Sequence, residues 1–194
     1  MPRFDIINYY IRTRGYKSFL EIGTLRGDTF RTVQCEHKVS VDPDPSTNAT
    51  HIMTSDEFFA NTREKFDLIF IDGLHHADQV WRDISNGLKH LRKKGMIILH
   101  DCKPENEPMQ RAPIPNFLVN KPWTGDCWKA FLKARATLPY DTFVYDHDMG
   151  CGIIDTATPA DPQADLPSDI DTMSWNDFTS HPEWFRFTHW NGGV

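Results

Sequence analysis

Several features are scarce or missing in this 194-residue sequence, and each absence narrows what the protein can be. No C-x-x-C pair occurs among Cys35, Cys102, Cys127 and Cys151, and no apolar N-terminal stretch of the signal-peptide type precedes them. A secretory route and a disulfide framework are therefore not expected. The Asn48-Ala49-Thr50 sequon then reads as accidental, and a reducing cytoplasm is the expected compartment. No uninterrupted apolar run is long enough to cross a bilayer. Positive charge is not in excess: the formal net charge is −6, which argues against a nucleic-acid backbone as the main partner. No internal repeat is present.

What the sequence does contain is a series of short apolar runs bounded by turn signals. "SFLEIG" (18–23), "KVSVD" (38–42), "FDLIFID" (66–72) and "GMIILH" (95–100) read as buried strands. Between them lie helical patterns. Ala77, Val80, Trp81, Ile84, Leu88 and Leu91 form an i, i+3/i+4 stripe, with Gly95 expected to end that helix and the basic run Arg92-Lys93-Lys94 to offset its dipole. Thr54-Ser55-Asp56-Glu57 has capping-box spacing. Strands alternating with helices predict an α/β fold, a Rossmann-like doubly wound and mostly parallel sheet.

The alternation stops after residue 103. Pro104, Pro108, Pro113, Pro115 and Pro122 crowd the next stretch, so 103–125 is expected to be a substrate-side loop or lid. A second amphipathic helix follows, with Asp126 as N-cap and Trp128, Phe131, Leu132 and Arg135 on one side. "TFVYDHDMGCGII" then predicts an antiparallel C-terminal edge hairpin. The expected domain is 1–155. Residues 156–194 are expected to form a linker and an aromatic segment packed on the domain, or a homodimer contact.

In open α/β sheets ligands bind beyond the carboxyl ends of the strands. Those ends carry Gly23 and Gly27, Asp42, Asp72, and His100-Asp101. Asp42 is placed to accept hydrogen bonds from a ribose. The dinucleotide fingerprint G-x-G-x-x-G is absent, because Leu25 holds its middle position, and there is no G-K-[ST] phosphate loop. A nucleoside without a pyrophosphate is the expected ligand.

"FLEIGTLRGDTF", "VSVDPDP", "FDLIFIDGLHH" and "GMIILHDC" together resemble the class I S-adenosylmethionine-dependent methyltransferases. The resemblance covers roughly residues 18–155 and is nearest to small bacterial "family 24" methyltransferases, distantly similar to catechol and macrocin O-methyltransferases. It implies S-adenosyl-L-methionine as cofactor, with Glu21, Gly23, Thr24 and Gly27 around the methionine part, Asp42 at the ribose and Ser55 against the adenine. Asp72 would face the methionine amino group, the reacting centre or a metal. In catechol-type enzymes a lysine three residues after this aspartate serves as base; here that position is His75, an imidazole with a reference pKa of ~6.5.

Asp101 falls where the catechol type has a second metal aspartate, but Cys102 stands where that type has asparagine. A Mg²⁺ ion between Asp72 and Asp101 is one option. Direct substrate binding, or orientation of His75 by Asp101, is the other. The implied activity is methyl transfer to a small-molecule hydroxyl, with His75 and Asp101 as catalytic residues and Trp123 and Trp128 near the acceptor. No nucleic-acid or membrane partner is expected. The alternatives are a non-catalytic or differently reactive adenosyl-ligand-binding domain and, least favoured, a nicotinamide oxidoreductase.

Overall fold

A computed structural model describes residues 2–119, 121–163 and 165–192. Met1, Asn120 of the expected lid, Ala164 of the expected linker, and Gly193 and Val194 lie outside the described residues. The four anticipated strands form, as β1 (Ser18–Ile22), β2 (His37–Asp42), β4 (Phe66–Ile71) and β5 (Leu91–Leu99). A two-residue strand, β3 (His51–Ile52), pairs with the end of β2. The hairpin strands β6 (Tyr140–Tyr145) and β7 (Cys151–Pro159) and a short β8 (Phe187–Thr188) complete one sheet. Its order is β3-β2-β1-β4-β5-β7-β6-β8. Strands β1 to β5 run parallel and β7 antiparallel to both its neighbours. The hairpin is not the bare edge of the sheet, because β8 covers β6 over Val144–Tyr145.

Side chains alternate along a strand, and here each set meets a different helical layer. Leu20, Ile22, Ile69, Ile71, Ile97 and Leu99 face one core, shared with α3 (Ser55–Asn61), α4 (Ala77–His90) and α5 (Cys127–Thr137). Phe19, Leu68, Phe70, Met96 and Ile98 face the other, closed by Ile6, Ile7, Tyr10 and Ile11 of α1 (Arg3–Arg14). Helix α1 was not foreseen from the sequence. A short α2 (Asp28–Thr32) follows the first turn. The segment after β7 packs on the first core, where Phe178 of α6 (Trp175–Ser180) and Phe185 close around Trp128 at ring separations of 5.3 and 6.1 Å.

Three local expectations are corrected. Helix α4 ends at His90, and Gly95 lies inside β5 instead of capping it. The pairing jumps from Phe66–Leu91 to Leu68–Met96, so residues 92–95 form a bulge. Gly95 is required there because a Cβ would come within 2.8 Å of the Asp67 carbonyl. Arg92-Lys93-Lys94 are consequently exposed strand residues, and the last turn of α4 carries Lys89 and His90 instead. Asp126 makes no side-chain cap on its own helix; its carboxylate accepts the N–H of Ala77 at 2.7 Å and so caps α4. Helix α3 has the anticipated capping box between Thr54 and Glu57.

Candidate active site

The carboxyl ends of β1, β2, β4 and β5 open into a cavity of about 770 Å³, within the ~300–1,000 Å³ of ordinary small-molecule sites. Glu21, Gly23, Thr24, Asp42, Ser55, Asp72, His75 and Asp101 all line it. Gly27 does not. It sits at the start of α2 with φ +72° and donates to the Thr24 carbonyl at 2.6 Å, shaping the turn from behind. Gly23 permits a close backbone approach in the site: at φ +86°, a Cβ there would lie 2.1 Å from the Asp72 carbonyl oxygen. Glycine is required on both steric and conformational grounds.

One end of the cavity presents polar atoms without partners. The alternation along β1 directs Glu21 to the same face as Phe19. Its side chain is buried, and Oε2 has no hydrogen-bond partner; nor does Oγ1 of buried Thr24. Burial, followed by the charge of Asp72, pushes the Glu21 carboxyl up to about 8. Asp42 is differently placed from expectation. Its Oδ2 accepts the backbone N–H groups of Thr24 and Leu25, both at 2.9 Å, and its Oδ1 accepts that of Asp44 at 2.9 Å. The carboxylate thus holds the β1–α2 turn while lining the cavity. Ser55 donates to buried Asp83 at 2.6 Å, and Gln79, also lining the cavity, donates to the same oxygen at 3.0 Å.

The other end is a network of opposed charges. His75 Nδ1 lies 3.1 Å from the Trp123 carbonyl; a carbonyl only accepts, so that nitrogen carries a proton. His75 Nε2 is then left facing two carboxylates, Asp72 Oδ1 at 3.3 Å and Asp101 Oδ2 at 3.2 Å. Burial alone would lower the His75 pKa, but the hydrogen bond to Asp72 and the charges of Asp101 and Asp72 outweigh it, and the net shift is upward. His100 Nδ1 approaches the same two carboxylates, at 3.2 and 3.1 Å, without hydrogen-bond geometry. Its pKa is also raised, burial being overcome by Asp101 and Asp72. Burial would raise the Asp72 pKa, yet His100 and His75 hold it well below the usual carboxylate range.

Two contributors to this network, Arg3 and Asp148, were missed in the sequence. Arg3, from α1, reaches Asp72 at 3.6 Å and binds Asp148 through its backbone N–H at 2.7 Å and its guanidinium at 3.1 Å. Asp148 sits on the β6–β7 turn, its pKa depressed because His100 and Arg3 outweigh burial. Trp123 stacks on the His75 ring at 5.1 Å, and Gly125 packs so closely that a Cβ would meet the His75 carbonyl oxygen at 1.8 Å. Trp128, expected near the acceptor, is fully buried core. His76 is the residue before α4 and does not line the cavity.

Backbone strain collects here too. Among the described residues, six non-glycine residues have positive φ, and four of them, Leu25, Asp101, Asp148 and Met149, line the cavity. Each such residue costs roughly 1–2 kcal/mol, and strain of this kind concentrates where side chains must be aimed. Asp101 is both left-handed and buried, its carboxylate turned toward the two histidines. Cys102 is wholly buried and burial pushes its thiol far above its ordinary value, so it offers no nucleophile.

The donor set also bears on the metal expected between Asp72 and Asp101. Asp72, His75 and Asp101 bring one donor atom each within 4.8 Å of one another. However, two imidazoles with raised pKa values, His75 and His100, already stand against the two carboxylates. Mg²⁺ takes oxygen ligands in an octahedral shell, whereas here only two carboxylates supply oxygen and imidazoles occupy the space facing them, so the set fits it poorly. The polar atoms at the opposite end do fit a cationic amine and a nucleoside, since Glu21 Oε2 and Thr24 Oγ1 await partners there.

Comparison with known proteins agrees with this geometry. A family model described as a methyltransferase domain matches residues 20–102. Among solved structures, an O-methyltransferase from Bacillus cereus in complex with SAH aligns with TM-score 0.57 and 15% identity, covering 79% of this chain and 80% of that one. The O-methyltransferase TomG from Streptomyces achromogenes, in complex with SAM, aligns with TM-score 0.59 and 13% identity over 80% of each chain. A putative caffeoyl-CoA O-methyltransferase from Staphylococcus aureus aligns with TM-score 0.56 and 20% identity, over 80% of this chain and 84% of that one. No curated protein sequence matches. At these identities the structural likeness speaks for the fold alone. The chain has the Rossmann-like α/β fold of the class I methyltransferases, and its residues 20–102 match a methyltransferase domain.

Proposed function

We propose that this protein is a methyltransferase acting on a hydroxyl oxygen of a small molecule, with His75 as general base. The observation that carries the proposal is the position of His75 Nε2: inside the cavity, between Asp72 and Asp101, with Nδ1 fixed by the Trp123 carbonyl. That arrangement fixes the tautomer and stabilises the imidazolium that proton abstraction would create. S-adenosylmethionine, when bound, supplies an electrophilic methyl group. The protein's task is then alignment, worth ~7–11 kcal/mol, with a base adding about 10²–10⁴-fold.

The remaining roles follow from placement. Glu21 and Thr24 receive the amine end of the methionine part, above the turn that Gly23 and Gly27 shape. Asp42 braces that turn and offers Oδ1, which has one backbone donor, to a ribose hydroxyl. Ser55 and Gln79, tied together by Asp83, form the polar wall assigned to the adenine. Asp72 and Asp101 orient His75, and His100, Arg3 and Asp148 balance their charge. The mouth is apolar, with Leu25 and Leu74 exposed beside Pro122 and Trp123, which supports an acceptor with an aromatic or aliphatic body. No step is assigned to a metal.

The test is transfer of a labelled methyl group from S-adenosylmethionine to a panel of phenolic, saccharide and aliphatic alcohols. The proposal expects a methyl ether from at least one class, formed equally well in chelator. Methylation confined to amines or thiols would contradict it.

A further inference from the structure

A second cluster of ligand-type side chains lies outside the cavity lining. Asp146 and His147 occupy the turn between β6 and β7, and His189 directly follows β8. The sheet brings them together: Tyr145 is paired with Thr188, and the Asp146 N–H donates to the Thr188 carbonyl at 3.1 Å. His189 Nδ1 then lies 3.3 Å from Asp146 Oδ1, and His147 Nε2 lies 3.6 Å from the same oxygen. All three donor atoms are within 4.8 Å of one another, and the imidazole centroids are 4.4 Å apart.

Two of these atoms, Asp146 Oδ1 and His147 Nε2, are buried and have no hydrogen-bond partner. Buried polar atoms are normally satisfied, so a carboxylate oxygen and an imidazole nitrogen left facing each other call for something between them. A simple histidine–aspartate ion pair would show hydrogen-bond geometry at that oxygen, and neither imidazole provides it. Ligand atoms around a tetrahedral ion with bonds of ~2.0–2.1 Å stand about 3.3 Å apart, close to the 3.3 and 3.6 Å found here. Two imidazoles and one carboxylate suit a borderline ion such as Zn²⁺, Co²⁺ or Ni²⁺, whereas Mg²⁺ and Ca²⁺ favour oxygen.

We infer that Asp146, His147 and His189 form a site for a divalent ion of the zinc class, with solvent in the fourth position, that staples the C-terminal strand to the β6–β7 turn. The turn it would fix is the one that holds Asp148 and Met149 against the cavity, both in left-handed conformation. The residue after His189 is Trp190, whose ring packs edge-on against Tyr9 and Tyr145 at 4.8 and 4.9 Å. An ion at His189 thus ties together α1, the hairpin turn and the tail. The site does not depend on the acceptor or on the role of His75.

The pocket cluster around Asp72 could also take Zn²⁺, so the experiment is a calorimetric Zn²⁺ titration in a His75→Ala background, repeated with His75→Ala/His189→Ala and His75→Ala/His147→Ala. His189 is exposed, and its replacement leaves the core intact; circular dichroism checks folding of each variant. Binding of Zn²⁺ in the background protein, weakened tenfold or more by each second substitution and not competed by Mg²⁺, is the expected result. As a second readout, Zn²⁺ slows tryptic cleavage after Arg186 in the wild-type protein and not in His189→Ala. Absence of Zn²⁺ binding in the background, or weakening of less than tenfold by either second substitution, overturns the site.

Discussion

The two ends of the cavity differ in how their polar groups are satisfied. At the β1 end, Glu21 Oε2 and Thr24 Oγ1 are buried and unpartnered. At the β4–β5 end, Asp72, Asp101 and Asp148 are set against His75, His100 and Arg3, so that even His100 Nδ1, which lacks a hydrogen bond, faces two opposite charges. A buried polar atom left alone lowers stability, whereas a compensated network holds its geometry without a ligand. On the proposed reading the difference divides labour in the pocket: the first end is completed by what binds, and the second is set for proton transfer.

The comparison can be broken most severely at the hinge between the two ends. Gly23→Ala places a methyl group 2.1 Å from the Asp72 carbonyl oxygen at a φ of +86°. Overpacking and the left-handed penalty together predict a loss of about 2–5 kcal/mol, read as a fall in the urea midpoint and as lost cofactor binding. His75→Ala should act on one end only, lowering kcat by about 10²–10⁴ while leaving the cofactor Kd within a few-fold. A matching loss of cofactor affinity would show that the two ends are not separate. In the wild-type protein burial and the charge of His100 lower the His75 pKa, but Asp72 and Asp101 outweigh them and the net shift is upward. The free base is the active form, so kcat/KM should climb with pH through a value above the ordinary ~6.5.

Glu21→Gln sharpens the comparison from the other side. The native carboxyl titrates at about 8, above its unfolded value, so the folded protein holds a proton that the unfolded chain releases. Stability attributable to this group is present below the unfolded pKa of ~4.3 and is lost as pH rises toward 8. The glutamine variant should flatten that decline. Binding of a cationic amine favours the ionised carboxylate, so cofactor binding below pH 8 should release a proton in the wild type and not in the variant, with affinity at pH 8 about tenfold weaker in the variant. Calorimetry in buffers of different ionisation enthalpy measures both. A smaller effect is expected at Asp83, buried behind Ser55 and Gln79, whose pKa burial raises to about 6. Asp83→Asn should raise the thermal midpoint, with a gain of up to ~3 kcal/mol that grows between pH 4 and pH 7.

The β1 end was largely legible in the sequence, because its groups lie at the ends of apolar runs and the turn between them is local. Gly23 and Asp42 needed only the strand pattern and a short connection, whereas Glu21 and Thr24 came from the methyltransferase resemblance. The other end was legible only in part. Asp72, His75 and Asp101 share that local logic, but Arg3 and Asp148 stand 145 residues apart in sequence and carry no signal of their meeting. Helix α1 went unread although Ile6, Ile7, Tyr10 and Ile11 recur at helical i, i+3/i+4 spacing and form its buried face. The sequence carried one clue, Asp148 and Gly150 in a short turn between two strand-like runs; the structure makes Asp148-Met149-Gly150 consecutive left-handed residues that aim Asp148. Gly95 misled because a glycine after a helical stripe suggests a helix end, whereas here the approach of the Asp67 carbonyl demands it.

The most direct measurement is calorimetric titration of the wild-type protein with S-adenosylmethionine at pH 7, in chelator and then with Mg²⁺. Binding that releases a proton and has the same affinity in both solutions is expected from an unsatisfied Glu21 and a charge-compensated Asp72–His75–Asp101 cluster. Failure to bind in chelator, with affinity restored by Mg²⁺, would contradict both halves of that description.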